Sequence, residues 1–160
     1  MKKLFVALAV LNVAQVFAQG EIVYLIPESV FANSKVLTAK FQQQKKQFQQ
    51  QEQPLMLQIS QIQQEVNKAG QSQASLERFS LQLYTLQNQV ESLNKQNAAY
   101  YNKAQNDYMP YVRKASNQLY AEHHYQYILT SSAIVVTDPK NDISVEVSKI
   151  ADKLYEDDQH

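Results

Sequence analysis

Residues 75–111 read SLERFSLQLYTLQNQVESLNKQNAAYYNKAQNDYMPY. Within them Leu76, Phe79, Leu83, Leu86, Val90 and Leu93, continued by Asn97, Tyr100, Ala104, Tyr108 and Tyr111, recur at steps of three and four. That rhythm places them on one stripe of a helix and predicts a long coiled-coil partner helix. The segment before it repeats the rhythm more weakly, through Phe31, Ser34, Thr38, Phe41, Lys45, Phe48, Glu52, Leu55, Ile59, Ile62 and Val66. Between the two stripes lies Lys68-Ala69-Gly70-Gln71-Ser72, the one break with a glycine. A reversal there gives an antiparallel hairpin, in which facing residues have numbers of constant sum. Val66 with Leu76, Ile62 with Phe79, Ile59 with Leu83, Leu55 with Leu86, Phe48 with Leu93 and Phe41 with Tyr100 all sum to 141 or 142. Two stripes read separately therefore agree on one register. A first helix from about Ser29 to Lys68 would reach roughly 60 Å at 1.5 Å per residue, an arm too thin to be a globule.

The same register predicts weak layers in mid-arm. Lys45 falls opposite Asn97 and Glu52 opposite Val90; Pro54 removes a backbone donor, and Pro110 is expected to kink the second helix near its base. Such polar layers either fix register or let the arm flex. The glutamine-rich run from Gln42 to Gln53 keeps Phe41, Phe48 and Leu55 seven residues apart, so it reads as the solvated face of a helix.

Both chain ends contribute to a small body. Ile22–Ile26 is a β-rich run stopped by Pro27. Tyr125–Leu129 and Ala133–Thr137 read as two further strands, Asp138–Asp142 as a turn, and Ile143 to Leu154 as an amphipathic helix. The fold class is mainly α with a small β-body. Residues 19–34 and 120–160 form the body, and 35–119 form the hairpin arm, its tip near 68–74. So small a body, without a disulfide, is near the limit of self-support, and association of several chains would bury strand residues such as Ile22, Tyr24, Ile128, Ile134 and Val136.

Lys2 and Lys3 precede an apolar run from Leu4 to Ala18, and Val16-Phe17-Ala18 suits a signal peptidase. The expectation is export to the periplasm, with residues 1–18 a signal peptide cleaved after Ala18; the run is shorter than the roughly 20 residues a spanning helix needs. The chain has no cysteine, so neither disulfides nor thiolate chemistry is open to it, and only two glycines, against a fold of tight turns or phosphate loops. Formal charge is zero overall, but Lys35–Leu119 carries ten basic residues against five acidic, and Tyr120–His160 three against eight. A mildly basic arm and an acidic end are two solvated surfaces, or a basic surface that faces acidic partners.

Candidates for chemistry are few. His123-His124 lacks the i, i+4 spacing of a two-histidine metal site and reads as a helix-end pair. Glu156-Asp157-Asp158 lacks the spaced oxygens and glycine of a calcium loop, and Ser131-Ser132 has no motif to activate a hydroxyl. No catalytic, cofactor or metal site is expected. Tyr100, Tyr108 and Tyr111 are expected to pack where arm joins body, whereas Tyr101 should point away from the seam.

Ile22-Val23-Tyr24-Leu25 through Ser29-Val30-Phe31, the Gln/Lys-rich arm, and the string Tyr125–Pro139 followed by Asp142-Ile143-Ser144 and Glu146-Val147 resemble the ends and arm of Skp/OmpH periplasmic chaperones. The C-terminal strand, turn and helix string is the specific part of the likeness, which spans the mature chain. The resemblance implies a homotrimer with a central β-body and three arms. These would enclose a cavity that holds unfolded outer-membrane β-barrel proteins without ATP. A membrane surface or lipopolysaccharide is a further candidate partner; nucleic acid is not expected. The mature chain departs from the strongly basic character of well-known members, since after loss of Lys2 and Lys3 it carries about −2. Many weak contacts from arm faces are the plainer capture mechanism, with Lys40, Lys45, Lys46, Lys95, Tyr101 and Lys103 as candidate client-binding residues. The alternative is a structural or adaptor coiled coil of the cell envelope.

Overall fold

The computed structural model describes residues 21–68, 72–130 and 138–160. In chain order these form strand β1 (Ile22–Leu25), helices α1 (Pro27–Asn33), α2 (Lys35–Val66) and α3 (Gln73–His123), strand β2 (Tyr127–Thr130), a 3-10 turn (Pro139–Asn141) and helix α4 (Ser144–Asp157). The expected signal peptide, the residues at the arm tip from Ala69 to Gln71, and the third strand with Ile134 and Val136 lie outside the described residues. Among the described residues no helix is long and apolar enough to cross a membrane.

β1 and β2 pair in parallel, Ile22 opposite Tyr127 and Leu25 opposite Thr130. The turn that precedes α4 closes on the same strand, where Ile143 N donates to Tyr24 O at 3.0 Å. α4 buries Ser144, Val147, Ser148, Ala151 and Asp152, a stripe at steps of three, one, three and one that marks one face of a helix. Small residues there and on α3 (Ala104, Ala115) let the helices approach closely. The core joins Val23, Leu25, Val30 and Leu37 to Ala104, Tyr108, Val112, Ala115 and Leu119 of α3 and to Val147 and Ala151 of α4.

The first helix differs from expectation. It is not continuous from about Ser29; the chain breaks at Ser34, whose backbone is extended (φ −70°, ψ 121°) and whose Oγ accepts the Leu37 N–H at 3.1 Å. A serine that satisfies an orphan N–H of the next turn is a helix start, so α1 and α2 are separate and α2 alone extends about 48 Å. Ser72 caps α3 in the same way, accepting from Ser75 N at 3.2 Å. Pro54 and Pro110 interrupt neither helix. Both are exposed. On that side the carbonyls they leave unpaired turn to water.

The hairpin register holds, but the stripes that carry it shift by one residue in mid-arm. From Leu55 and Leu86 toward the tip the inward positions are those expected. Toward the base, Gln44 and Leu37 are inside where Lys45 and Thr38 were expected, and Tyr101 is inside where Tyr100 was. Gln44 Nε2 donates to Asn97 Oδ1 at 3.2 Å, and the Phe41 and Tyr101 rings meet edge to face at 4.7 Å. Both pairs keep a sum of 141 or 142. Each helix therefore takes one additional step of four at the same level, 44 to 48 to 52 on α2 and 93 to 97 to 101 on α3. A straight helix has 3.6 residues per turn, so a four-residue stutter locally unwinds the supercoil while leaving the partners matched.

Candidate functional site

Where the arm meets the body, one carboxylate gathers three elements. Asp152, on α4 and 9 % exposed, accepts from Ser34 Oγ (2.5 Å), from Lys35 N at the start of α2 (2.8 Å) and from Tyr108 OH of α3 (2.7 Å). A negative group at the first N–H groups of a long helix is favoured by the helix dipole as well as by the hydrogen bonds. Tyr108 is fully buried, and its hydroxyl also lies 3.1 Å from Ser148 O. Burial pushes that hydroxyl well above its ordinary 10.0, and the Asp152 carboxylate adds to the rise. Around this knot Phe31, Tyr111 and Tyr155 pack against the Tyr108 ring, and Tyr111 OH donates to Asp158 Oδ2 at 2.5 Å. The expectation that Tyr108 and Tyr111 secure the junction agrees with this geometry.

Beyond the knot the arm has almost no interior. From Thr38 to Lys103, among the described residues, Leu86 alone is buried. Phe41, Phe48, Leu55, Ile59, Ile62, Leu83 and Leu93 are half-buried along the seam. Met56, Leu57, Leu81 and Tyr84 stand exposed near the tip, the last two by 67 % and 63 %. Two helices can screen only one stripe each, so the rest of their surface faces outward.

The residues proposed to meet a client are distributed unevenly over this surface. Lys45 and Lys46 are exposed and outside the ion pairs formed among the described residues. Lys95 pairs with Glu91 and Lys103 with Asp107, each at 2.6 Å and each one helical turn away, pairs that remain open to solvent. Lys40 is turned to the body instead: its Nζ donates to Tyr155 OH at 2.5 Å and sits 4.7 Å from that ring's centroid. Tyr101 does not point away from the seam, as expected, but packs on Phe41; Tyr100 is the exposed one of the pair, at 36 %. The stutter rotates the stripe by one residue here and exchanges their places.

In the body, Tyr24 is buried, Ile128 half-buried and Ile22 47 % exposed beside Tyr127 at 56 %. His123 closes α3 and stacks on Tyr125 at 5.2 Å, and His124 adopts the left-handed cap conformation, φ 56°. No group of three or more His, Asp or Glu suited to a metal occurs among the described residues.

A long two-helix arm carried on a small α/β body is the arrangement found in a solved structure. That structure is of an OmpH-like candidate outer membrane chaperone from Caulobacter crescentus CB15, with a TM-score of 0.57 and 16 % identity over 86 % of each chain. At that identity the likeness concerns the fold. Sequence carries the family: the model of the family described as outer membrane protein (OmpH-like) matches residues 9–150. The chain belongs to the OmpH-like family. A search of curated proteins finds no match.

Within this OmpH-like chain, the root built on Asp152 and Ser34 is what sequence reading missed. Its trace was there: Asp152 interrupts the otherwise apolar or small face of α4, and Asn33-Ser34 precedes a helical run, the usual form of a cap.

Proposed function

We propose that this OmpH-like protein is an exported, ATP-independent holdase chaperone of the periplasm, active as a homotrimer, that keeps unfolded outer-membrane β-barrel proteins soluble between its arms. The observation that carries the reading is the contrast between a hydrogen-bonded root and an outer arm in which, among the described residues from Thr38 to Lys103, Leu86 alone is buried. A stable body presents long, weakly apolar, mixed-polarity surfaces that need no partner to stay helical and offer many shallow contacts. Each contact is weak, and several arms acting on one client make the complex long-lived. Exposed Lys45 and Lys46 and the solvent-open Lys95 and Lys103 add mild attraction for acidic segments without committing the surface to charge. Trimer formation is supported by the sheet: among the described residues it has only two four-residue strands, with Ile22 and Tyr127 exposed on it, and a second chain would cover them.

The test is dilution of a urea-denatured outer-membrane barrel protein into the mature chain, residues 19–160, without nucleotide, with light scattering and native mass recorded on one sample. The expected result is a trimer that suppresses scattering at stoichiometric concentration. A protein that leaves aggregation unchanged would overturn the holdase reading and leave the structural coiled coil, and a monomer or dimer would overturn the trimer.

A further inference from the structure

Two open cavities lie in line on one face of the arm, one beyond the stutter and one at its outer edge, with volumes of about 330 and 260 Å³. Gln58, Ile62, Leu81, Gln82, Thr85 and Leu86 line the one nearer the tip, and Gln51, Leu55, Gln89, Ser92, Leu93 and Gln96 the other; all but Leu81 and Gln96 have a counterpart seven positions away in the other groove. Each has a floor of two seam side chains, one from either helix, and a rim of glutamine amides and one small hydroxyl, to which Leu81 adds an exposed apolar side chain in the groove nearer the tip. No charged residue lines either cavity.

We propose that these grooves form a repeating docking track for an unfolded, uncharged polypeptide segment in extended polyproline-II-like conformation, apolar side chains in successive grooves and backbone amides on the glutamine rim. The inference rests on the holdase reading and names the client feature it would recognise. Three observations select this occupant. The heptad sets the grooves about 10.5 Å apart. A polyproline-II chain repeats its face every three residues, about 9.3 Å, whereas a β-strand repeats at about 6.7 or 13 Å and fits neither. That conformation leaves every backbone N–H and C=O unpaired, and it is common in unfolded chains. A glutamine amide can donate or accept, so the rim reads either backbone group in either chain direction. Finally, the uncharged lining leaves no ion to be desolvated when an apolar side chain enters.

The experiment uses the mature chain and fluorescein-labelled 13-residue peptides of one uncharged composition. Their leucines are spaced by three, by two, or by the three-four pattern of a helix, and anisotropy reads binding. The expected result is binding of the three-spaced peptide at least about fivefold tighter than the two-spaced one. It should be weakened about fivefold or more in Thr85→Arg/Ser92→Arg, which blocks the rims, and unaffected in Ser80→Arg/Gln87→Arg, which adds the same charge at exposed α3 positions outside both grooves. Circular dichroism confirms that both variants remain helical. Equal binding of the two spacings, preference for the helical peptide, or equal loss in both variants would overturn the track. Rim variants that still suppress aggregation of the barrel protein as the parent does would also overturn it while leaving the holdase reading intact; a parent that fails to suppress aggregation would remove that reading itself.

Discussion

The root of the arm and its outer two thirds are made of the same helices, yet they are held by different physics. At the root, Ala104, Tyr108, Val112, Ala115 and Leu119 of α3 are sealed beneath α1 and α4, and Asp152 of α4 satisfies three hydrogen-bond donors, two at the start of α2 and one on α3. Further out, the same α3 has a single partner and Leu86 is its one buried residue before Ala104. The root is specified by a buried polar network and close packing, where each group is costly to lose. The outer arm is specified by helix propensity, heptad spacing and a shallow seam, where most groups can be changed cheaply. A protein that must stay assembled while its working surface adapts can separate the two tasks in this way.

The largest expected effect would come from the root. Asp152→Ala leaves the Ser34 hydroxyl and the Lys35 N–H without their acceptor and the Tyr108 hydroxyl with Ser148 O alone, and should cost about 3 kcal/mol. Urea denaturation followed through tyrosine fluorescence would measure it; a loss below about 1 kcal/mol would erase the distinction between root and arm. Next comes the arm: Leu86→Ala should cost about 2 kcal/mol, at the low end for a buried leucine because its site is open to collapse. Hydrogen exchange should locate that loss between residues 50 and 93, and loss of protection in α4 as well would mean that arm and body unfold as one unit.

A smaller effect sharpens the account of the knot. Tyr108→Phe should cost about 1–2 kcal/mol at neutral pH. The folded protein holds this hydroxyl neutral above the ordinary value of 10.0, so its contribution is complete below pH 10 and fades as pH rises through the folded value. The stability gap between parent and variant should therefore be flat from pH 7 to 9 and narrow above pH 10. A gap that widens there would contradict the burial assigned to Tyr108. The smallest effect is expected at Glu91. The hydrogen bond and charge of Lys95 hold its carboxyl below the usual 4.5, so the pair's contribution is present above that value and is lost as pH falls below it. The group is fully exposed, and Glu91→Gln should leave the unfolding midpoint unmoved at neutral pH; a clear drop would mean that the outer arm depends on its surface ion pairs.

The difference between the two regions also explains what could be read in the sequence. The outer arm was legible because both stripes obey a local period and the hairpin makes each check the other; Leu55 with Leu86 and Ile62 with Phe79 needed no tertiary information. Below Phe48 the local rule misplaces Thr38, Lys45 and Tyr100, since continuing a strict three-four alternation conceals the added step of four, and both choices there fall on side chains of mixed character. Two tyrosines in succession, Tyr100 and Tyr101, offer no hydrophobic contrast by which to choose. The root was least legible. Ser34 and Asp152 are 118 residues apart, and what makes Asp152 central is its neighbours in space. Single positions of a buried network carry no period, whereas the cap at Ser34 carried a local signal that a continuous helix from Ser29 overrode.

Under the proposed holdase function the root is a fixed anchor and the outer arm the adaptable surface on which clients are held. Hydrogen exchange resolved by peptide, on the mature protein with and without a denatured outer-membrane barrel protein, tests it most directly. Slowest exchange is expected in residues 104–119 and 144–157, faster exchange between 40 and 100, and added protection confined to that faster region when client is present. Uniformly slow exchange through residues 45–54, or client protection centred on α4 and the root, would contradict it.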